Sequence, residues 1–255
     1  MSIEVKQIPC LDDNYGFLVH DAESGATASI DTPEAEAINA ALAEKGWQLT
    51  PISNTHHHFD HAGGNEALNK QWGCQIIGAA NDAHWIPGID QQVADGDVMK
   101  LGETQVHVLK VPGHSLGHIA DDFEDDQTAF VGDTRFALGC GRWFEGSAEQ
   151  MRHNFEKPMN LPENTTVYCA HEYTQADAAV VITVESDNAA LQDRVREIAR
   201  LRAQGIPTVP TSIGLERQTS PFVRPTSSIS QTTVNLVGAD PLAIFAETHK
   251  GKDHF

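Results

Sequence analysis

The sequence predicts an α/β (α+β) fold, a layered sheet domain over residues 1–173 followed by a small, mainly helical domain over 174–255. Three observations carry this. Short apolar runs bounded by turn residues recur up to about His171, with stretches of helical period between them. Metal-capable side chains end several of these runs, where layered α/β proteins commonly place their sites. Beyond Tyr173 the strand pattern gives way to amphipathic helical pattern.

The first 31 residues read as a meander of strands, IEVKQI, DDNYGFLVH and, after the turn AESG, ATASID. TPEAEAINAALAEKG then reads as a helix, with Pro33 at its first position and Gly46 as its stop. LTPISNT (Leu49 to Thr55) reads as a short buried strand and AGGNEALNK as the start of a helix. CQIIGA, TQVHVLKV, TAFVGD and TTVYCAH are strand-like, whereas SAEQMRHNFEKPM opens with a Ser147-x-x-Gln150 capping box and is expected to be helical. The acidic string DDFEDD at 121–126 reads as a solvated hairpin turn without function. DNAALQDRVREIARLRAQG is an amphipathic helix ending at Gly205, and DPLAIFAETHKG starts a helix at Asp240 and Pro241. Between them, IPTVPTSIGLERQTSPFVRPTSS reads as an ordered but irregular loop.

A formal charge of −19 argues against nucleic acid and against an anionic membrane surface, so an anionic substrate would need a local basic patch. Cys10, Cys74, Cys140 and Cys169 form no C-x-x-C pair and no disulfide framework, and are expected to stay reduced. The start MSIEVKQIPC lacks the apolar core of a signal peptide, and no run approaches the ~20 apolar residues of a membrane span, so a cytoplasmic location is the expectation; a monomer is expected as well.

The stretch SNTHHHFDHAGG (53–64) concentrates the metal-capable groups. His56 and His58 are two apart and point to one side in extended backbone. Asp60 and His61 are adjacent, so they face one centre only if the chain bends after Phe59, and Gly63 and Gly64 are expected to permit unusual backbone there. Imidazoles with a carboxylate suit zinc and, less selectively, iron or manganese. Two pairs of ligands suggest two metals. VPGHSLGH adds His114, FVGDT adds Asp133 and YCAHEY adds His171, each at the end of a strand-like run.

T-H-x-H-x-D-H at 55–61, P-G-H at 112–114, G-D-T at 132–134 and C-x-H-E-Y-T at 169–174 resemble the metallo-β-lactamase superfamily. D-D-N-Y at 12–15, G-C-G-R-x-F-E-G at 139–146 and K-D-x-F at 252–255 narrow the resemblance to the glyoxalase II (hydroxyacylglutathione hydrolase) family. The resemblance implies an αββα sandwich carrying a binuclear centre, followed by a helical domain that helps hold glutathione. It implies that His56, His58 and His114 hold one divalent metal, Asp60, His61 and His171 the other, and that Asp133 bridges them. A hydroxide between the metals would then attack a glutathione thioester, with Asp60 orienting it and Asp133 as the other catalytic carboxylate. The thiol leaving group, with a reference pKa of about 8.5, needs little acid assistance.

Similarity also assigns glutathione binding to Arg142 and Phe144 in GCGRWFEG, to Tyr173, and to His249 and Lys252 near the C-terminus. The family pattern R-x-x-K-D has His249 in the arginine place here, so His249→Arg is expected to lower KM. Ser115 stands where threonine is usual. Two readings of Asp31 stand: a carboxylate that orients a ligating imidazole, or a cap for the following helix. His118 reads as an outer contact of the site or as packing, and His20, His84, His107, His153 and His254 as ordinary residues. Cys140 and Cys169 read as small buried residues, and Met99, Met151 and Met159 as core or helix face. The competing readings are another hydrolase of this fold, a persulfide dioxygenase, or a metal-binding protein without turnover.

Overall fold

The computed structural model describes residues 3–253, so His254 and the end of the K-D-x-F motif lie outside it. Its centre is two six-stranded sheets. The first runs β1 (Ile3–Cys10), β2 (Asn14–Asp21), β3 (Thr27–Ile30), β4 (Leu49–Asn54), β5 (Gln75–Ala79), β6 (Gln91–Val93) in spatial order, antiparallel from β1 to β3 and parallel from there. The parallel steps need crossovers, supplied by α1 (Ala35–Lys45) and by the pair α2 (Phe59–Ala62) and α3 (Asn65–Trp72). The second sheet contains β7 (Val98–Leu101), β8 (Thr104–Lys110), β9 (Ile119–Phe123) and β10 (Thr128–Phe130). A two-stranded ribbon, β11 (Arg135–Phe136) and β12 (Gly139–Cys140), and the helix α4 (Ala148–Met159) precede β13 (Thr166–Tyr168), which pairs parallel to β10.

One core lies between the sheets, with Phe17, Val19 and Ile77 from the first meeting Val108, Phe123 and Phe130 from the second. A second lies where Ile38, Leu42 and Leu68 cover Leu18, Ile52 and Ile76. The fold is the αββα sandwich. After Tyr173 come α5 (Thr174–Val184), α6 (Ala189–Arg202), the short strand β14 (Thr211–Ser212) paired to β13, α7 (Ile213–Thr219), α8 (Ser228–Thr233) and α9 (Pro241–Asp253). A third core gathers Leu138, Met151, Phe155, Val181, Leu191 and Phe245, so these helices share their interior with α4 and the ribbon.

The capping box at Ser147 and Gln150 is present, and Gly46 closes α1 in the left-handed region at φ 69°. Pro33 is not at N1: Glu34 is the residue flanking α1, and the proline precedes it. Gly63 and Gly64 have ordinary helical φ of −64° and −85°; they serve space, since a Cβ would stand 2.6 Å from Phe59 O and 2.8 Å from Thr32 O respectively.

DDFEDD is not a solvated turn throughout. Asp121 and Asp122 lie in β9, between β8 and β10, and are 0% and 6% exposed; only Glu124–Asp126 turn in solvent. Burial pushes Asp121 up to about 7 and Asp122 up to about 6. The expected loop over 206–228 contains β14 and α7, elements too short to show a period. Buried Glu216 organises them, accepting from Arg194 Nη2 at 2.5 Å, Thr211 Oγ1 at 2.8 Å and Arg135 Nη2 at 3.2 Å. Met99, Met151 and Met159 are in the core, as are Cys140 and Cys169. Among the described residues no helix is long and apolar enough to cross a membrane.

Candidate metal centre

The end of β4 delivers the first ligands. His58 is extended (φ −58°, ψ 148°), so His56 and His58 fall on one side, and the chain then turns into α2, which carries Asp60 and His61. His114 follows β8, Asp133 follows β10 and His171 follows β13. All these side chains converge. His58 Nδ1 lies 2.9 Å from His56 Nε2 and 3.1 Å from His114 Nε2. His171 Nε2 and His61 Nε2 lie 3.5 and 3.6 Å from Asp60 Oδ2. Asp133 stands between the two groups: Oδ2 is 3.4 Å from His114 Nε2, while Oδ1 is 3.4 Å from His171 Nε2 and 3.5 Å from His61 Nε2.

The outer partners decide which nitrogens are available. His61 gives Nδ1–H to Asp31 Oδ2 and His171 gives Nδ1–H to Asp13 Oδ1, both at 2.8 Å; His114 gives its own to Arg142 O at 2.8 Å. Thr55 donates its hydroxyl to Asp31 Oδ2, so its oxygen accepts Nδ1–H of His56 at 3.1 Å. In neutral imidazoles this leaves the Nε2 lone pairs of His56, His61, His114 and His171 pointing inward, where mutual hydrogen bonds are impossible. His61 Nε2 and Asp133 Oδ1 are buried with no hydrogen bond satisfying either. Such a donor set fits divalent cations, and three buried or half-buried groups of ligands are mutually close: His56, His58 and His114; Asp60, His61 and His171; His56, His61 and Asp133.

With the side chains alone, the two groups differ. Burial pushes His56 well down and His58 and His114 down, each helped by neighbouring imidazoles. Burial opposes charge on His61 and His171, but the carboxylates together outweigh it and hold both up, Asp133 with Asp31 at His61 and Asp133 with Asp13 at His171. Asp133 is itself held well below the usual carboxylate range: burial opposes its charge, but His61 and His171 outweigh it.

Asp31 is the outer carboxylate, not a cap; it also accepts Thr55 N–H at 2.8 Å. His118 is stacked on His56 at 4.7 Å and accepts Asp133 N–H at 3.0 Å, which positions the Asp133 backbone. Sequence reasoning missed Asp13 and Asn14 as participants. Asn14 Nδ2 donates to Asp60 Oδ2 at 3.0 Å, so the tip of the β1–β2 hairpin reaches the centre; the polar D-D-N-Y string was the available signal.

A cavity of about 560 Å³ opens from the centre, lined by His58, Asp60, His114, Asp133 and His171 and, among others, by Arg142, Phe144, Tyr173, Asp177 and Lys252. Tyr173 stacks on His171 at 4.7 Å. Phe144 is exposed and its ring is 5.1 Å from that of His114. Lys252 Nζ donates to Cys140 O at 2.5 Å. His249 does not line the cavity. It is fully buried, its ring stacked on Trp143 at 3.7 Å with Nε2 3.1 Å from Gly141 O, so it supports the loop that carries Arg142 from behind. Asp177, on the all-round apolar α5, was not foreseen; burial pushes it up to about 7, opposed by Lys252.

The paired ligand groups on an αββα sandwich define a metallohydrolase-type scaffold, and residues 24–171 match the family model of the metallo-beta-lactamase superfamily. Residues 172–255 match the model of the hydroxyacylglutathione hydrolase C-terminus. A hydroxyacylglutathione hydrolase of Methylococcus capsulatus is 49% identical over 253 residues, covering 99% of each chain. Two solved structures share the fold: ETHE1 from Myxococcus xanthus, with TM-score 0.67, 24% identity and 98% of each chain covered, and TTHA1623 in a di-iron-bound form, with TM-score 0.60, 23% identity, and 82% of this chain and 94% of that one covered. The chain belongs to the metallo-beta-lactamase superfamily and, within it, to the hydroxyacylglutathione hydrolase family.

Proposed function

We propose that the protein hydrolyses the thioester of S-(2-hydroxyacyl)glutathione, with S-D-lactoylglutathione the expected substrate, to glutathione and the 2-hydroxy acid. The observation that carries this is Asp133, whose two carboxylate oxygens face two separate groups of lone-pair nitrogens. His56, His58 and His114 would hold one divalent ion, Asp60, His61 and His171 a second, with zinc, iron and manganese all suited to the donors. Ions so held supply water acidified toward neutral pH and an electrophile for the thioester carbonyl.

The chain's own groups do the rest. Asp60 lines the cavity and Asn14 fixes its Oδ2; His61 and His171 are 3.6 and 3.5 Å from that oxygen. Burial alone would raise the Asp60 carboxyl, but His61 and the Asn14 hydrogen bond outweigh it and hold it down, so it stays ionised to orient attacking water. Arg142 and Lys252, which also line the cavity, would read glutathione carboxylates, the guanidinium by forked hydrogen bonds. Tyr173, whose pKa is raised by burial and then by Asp13 and Asp133, stays a neutral phenol against the substrate. Residues 1–173 would supply the chemistry and 174–255 much of the glutathione binding, in a cytoplasmic monomer. Four buried free cysteines suit that compartment.

Metal content measured beside hydrolysis of S-D-lactoylglutathione tests the reading. Turnover that needs the bound metal and disappears with a chelator is expected. Fully metallated protein that leaves the thioester intact would overturn it.

A further inference from the structure

His57 repeats, outside the centre, the arrangement that prepares His61 and His171 for a metal. Its Nδ1 lies 2.8 Å from Asp82 Oδ2, and Asp82 is fully buried. Ser115 Oγ also donates to that oxygen, at 3.3 Å. The slot for this carboxylate depends on Gly117, where a Cβ would stand 2.0 Å from Asp82 Oδ1. A neutral imidazole that gives Nδ1–H to a carboxylate keeps Nε2 as a lone pair. His57 Nε2 is 3.7 Å from Glu145 Oε1, and ligand atoms of His57, His58 and Glu145 lie within 4.8 Å of one another. Two ligand atoms on one tetrahedral zinc, each at about 2.0 to 2.1 Å, stand roughly 3.4 Å apart, so a small closure of Glu145 completes the pair. Neither His57 nor Glu145 lines the cavity, and the Trp85 ring, 5.2 Å from that of His57, covers this flank.

We propose that His57 Nε2 and Glu145, beside His58, form a further divalent-cation site on the rim of the cavity, separate from the two ligand groups of the centre. Water completes its coordination, so it is weaker than the centre. Glu145 Oε2 already accepts Leu116 N–H at 2.8 Å. A cation here therefore fastens the segment that carries Arg142 and Phe144 to the segments that carry His58 and His114.

The proposal rests on reading the centre as a metal site, and the test separates the two. Protein carrying its resident metal is equilibrated by dialysis against micromolar zinc, and bound metal is counted per chain. The wild type is expected to take up one more ion than Glu145→Gln, which keeps an oxygen for Leu116 N–H and the turnover measured without added zinc. Asp82→Asn is expected to weaken the extra ion by about 10- to 100-fold, as loss of a carboxylate behind a ligating histidine does. The ions that Glu145→Gln retains report the centre, whereas the difference from wild type reports the rim. Equal counts in the two proteins across the titration would overturn the proposal and leave His57 and Glu145 as an ion pair only.

Discussion

The two ends of the cavity are held by different means. At the metal end the candidate ligands follow strands or sit on the single turn α2, and three of the imidazoles have their outer nitrogen fixed by a directed bond: His61 by Asp31, His171 by Asp13, His114 by Arg142 O. Arg142 and Lys252 belong to a loop and to α9, and the loop is held by the stacking of His249 on Trp143 together with hydrogen bonds accepted by Cys140 O and Gly141 O. Two of the anchors at the metal end are carboxylates, and the proposed metal chemistry would tolerate little displacement of its donors. Binding a flexible substrate's carboxylates tolerates more, and here a supporting residue replaces a charged one without closing the pocket.

The largest effect that tests this contrast is expected at the bridge. Asp133→Asn should lower metal content toward one ion per chain and cut turnover by about 100-fold or more, since an amide bridges two cations poorly. Unchanged kcat with full metal would remove the bridge from the mechanism. Next, Asp31→Asn should weaken metal binding by about 10- to 100-fold, because the amide no longer fixes the outer nitrogen of His61; competition with a chelator measures it.

At the far end the losses should appear in KM and spare kcat. Arg142→Ala and Lys252→Ala should each cost roughly 1.5 to 3 kcal/mol of binding toward a glutathione thioester and far less toward a small thioester without carboxylates. Equal losses on both substrates would show that these residues do not read glutathione. His249→Arg, expected from sequence to lower KM, should instead raise KM and lower Tm, because a larger charged side chain must enter a buried slot against Trp143.

The smallest effect concerns pH. Asp177 is neutral below about 7 because burial disfavours its charge; above that it ionises beside Lys252. KM for an anionic substrate should therefore rise a few-fold as pH passes from about 6 to 8, by the loss of local positive potential. In Asp177→Asn that rise should be flatter. A KM profile identical to the wild type would free Asp177 of any part in binding.

Much of the metal end was legible because its residue types are rare, chemically narrow and placed where strand-like runs stop. His56, His58, Asp60 and His61 share one short stretch, and the bend needed to aim the last two is the single turn α2. The far end was less legible for a physical reason. Motif correspondence places a residue in the chain but not which way it faces, and His249 faces the loop rather than the cavity. Asp177 was hidden because α5 is apolar on every side and shows no face. DDFEDD misled because charge normally means solvent, whereas β9 is covered by its neighbours and burial there pushes the Asp121 carboxyl up to about 7.

The contact between Asp13 and His171 joins the first hairpin to a residue 158 positions later. During synthesis the hairpin leaves the ribosome long before its partner exists, so the cage cannot close until both sheets have met. Folding therefore carries the delay of long-range strand pairing. A nascent chain released before His171 would still carry His56, His58 and His114 but would lack the imidazole that Asp13 is placed to anchor.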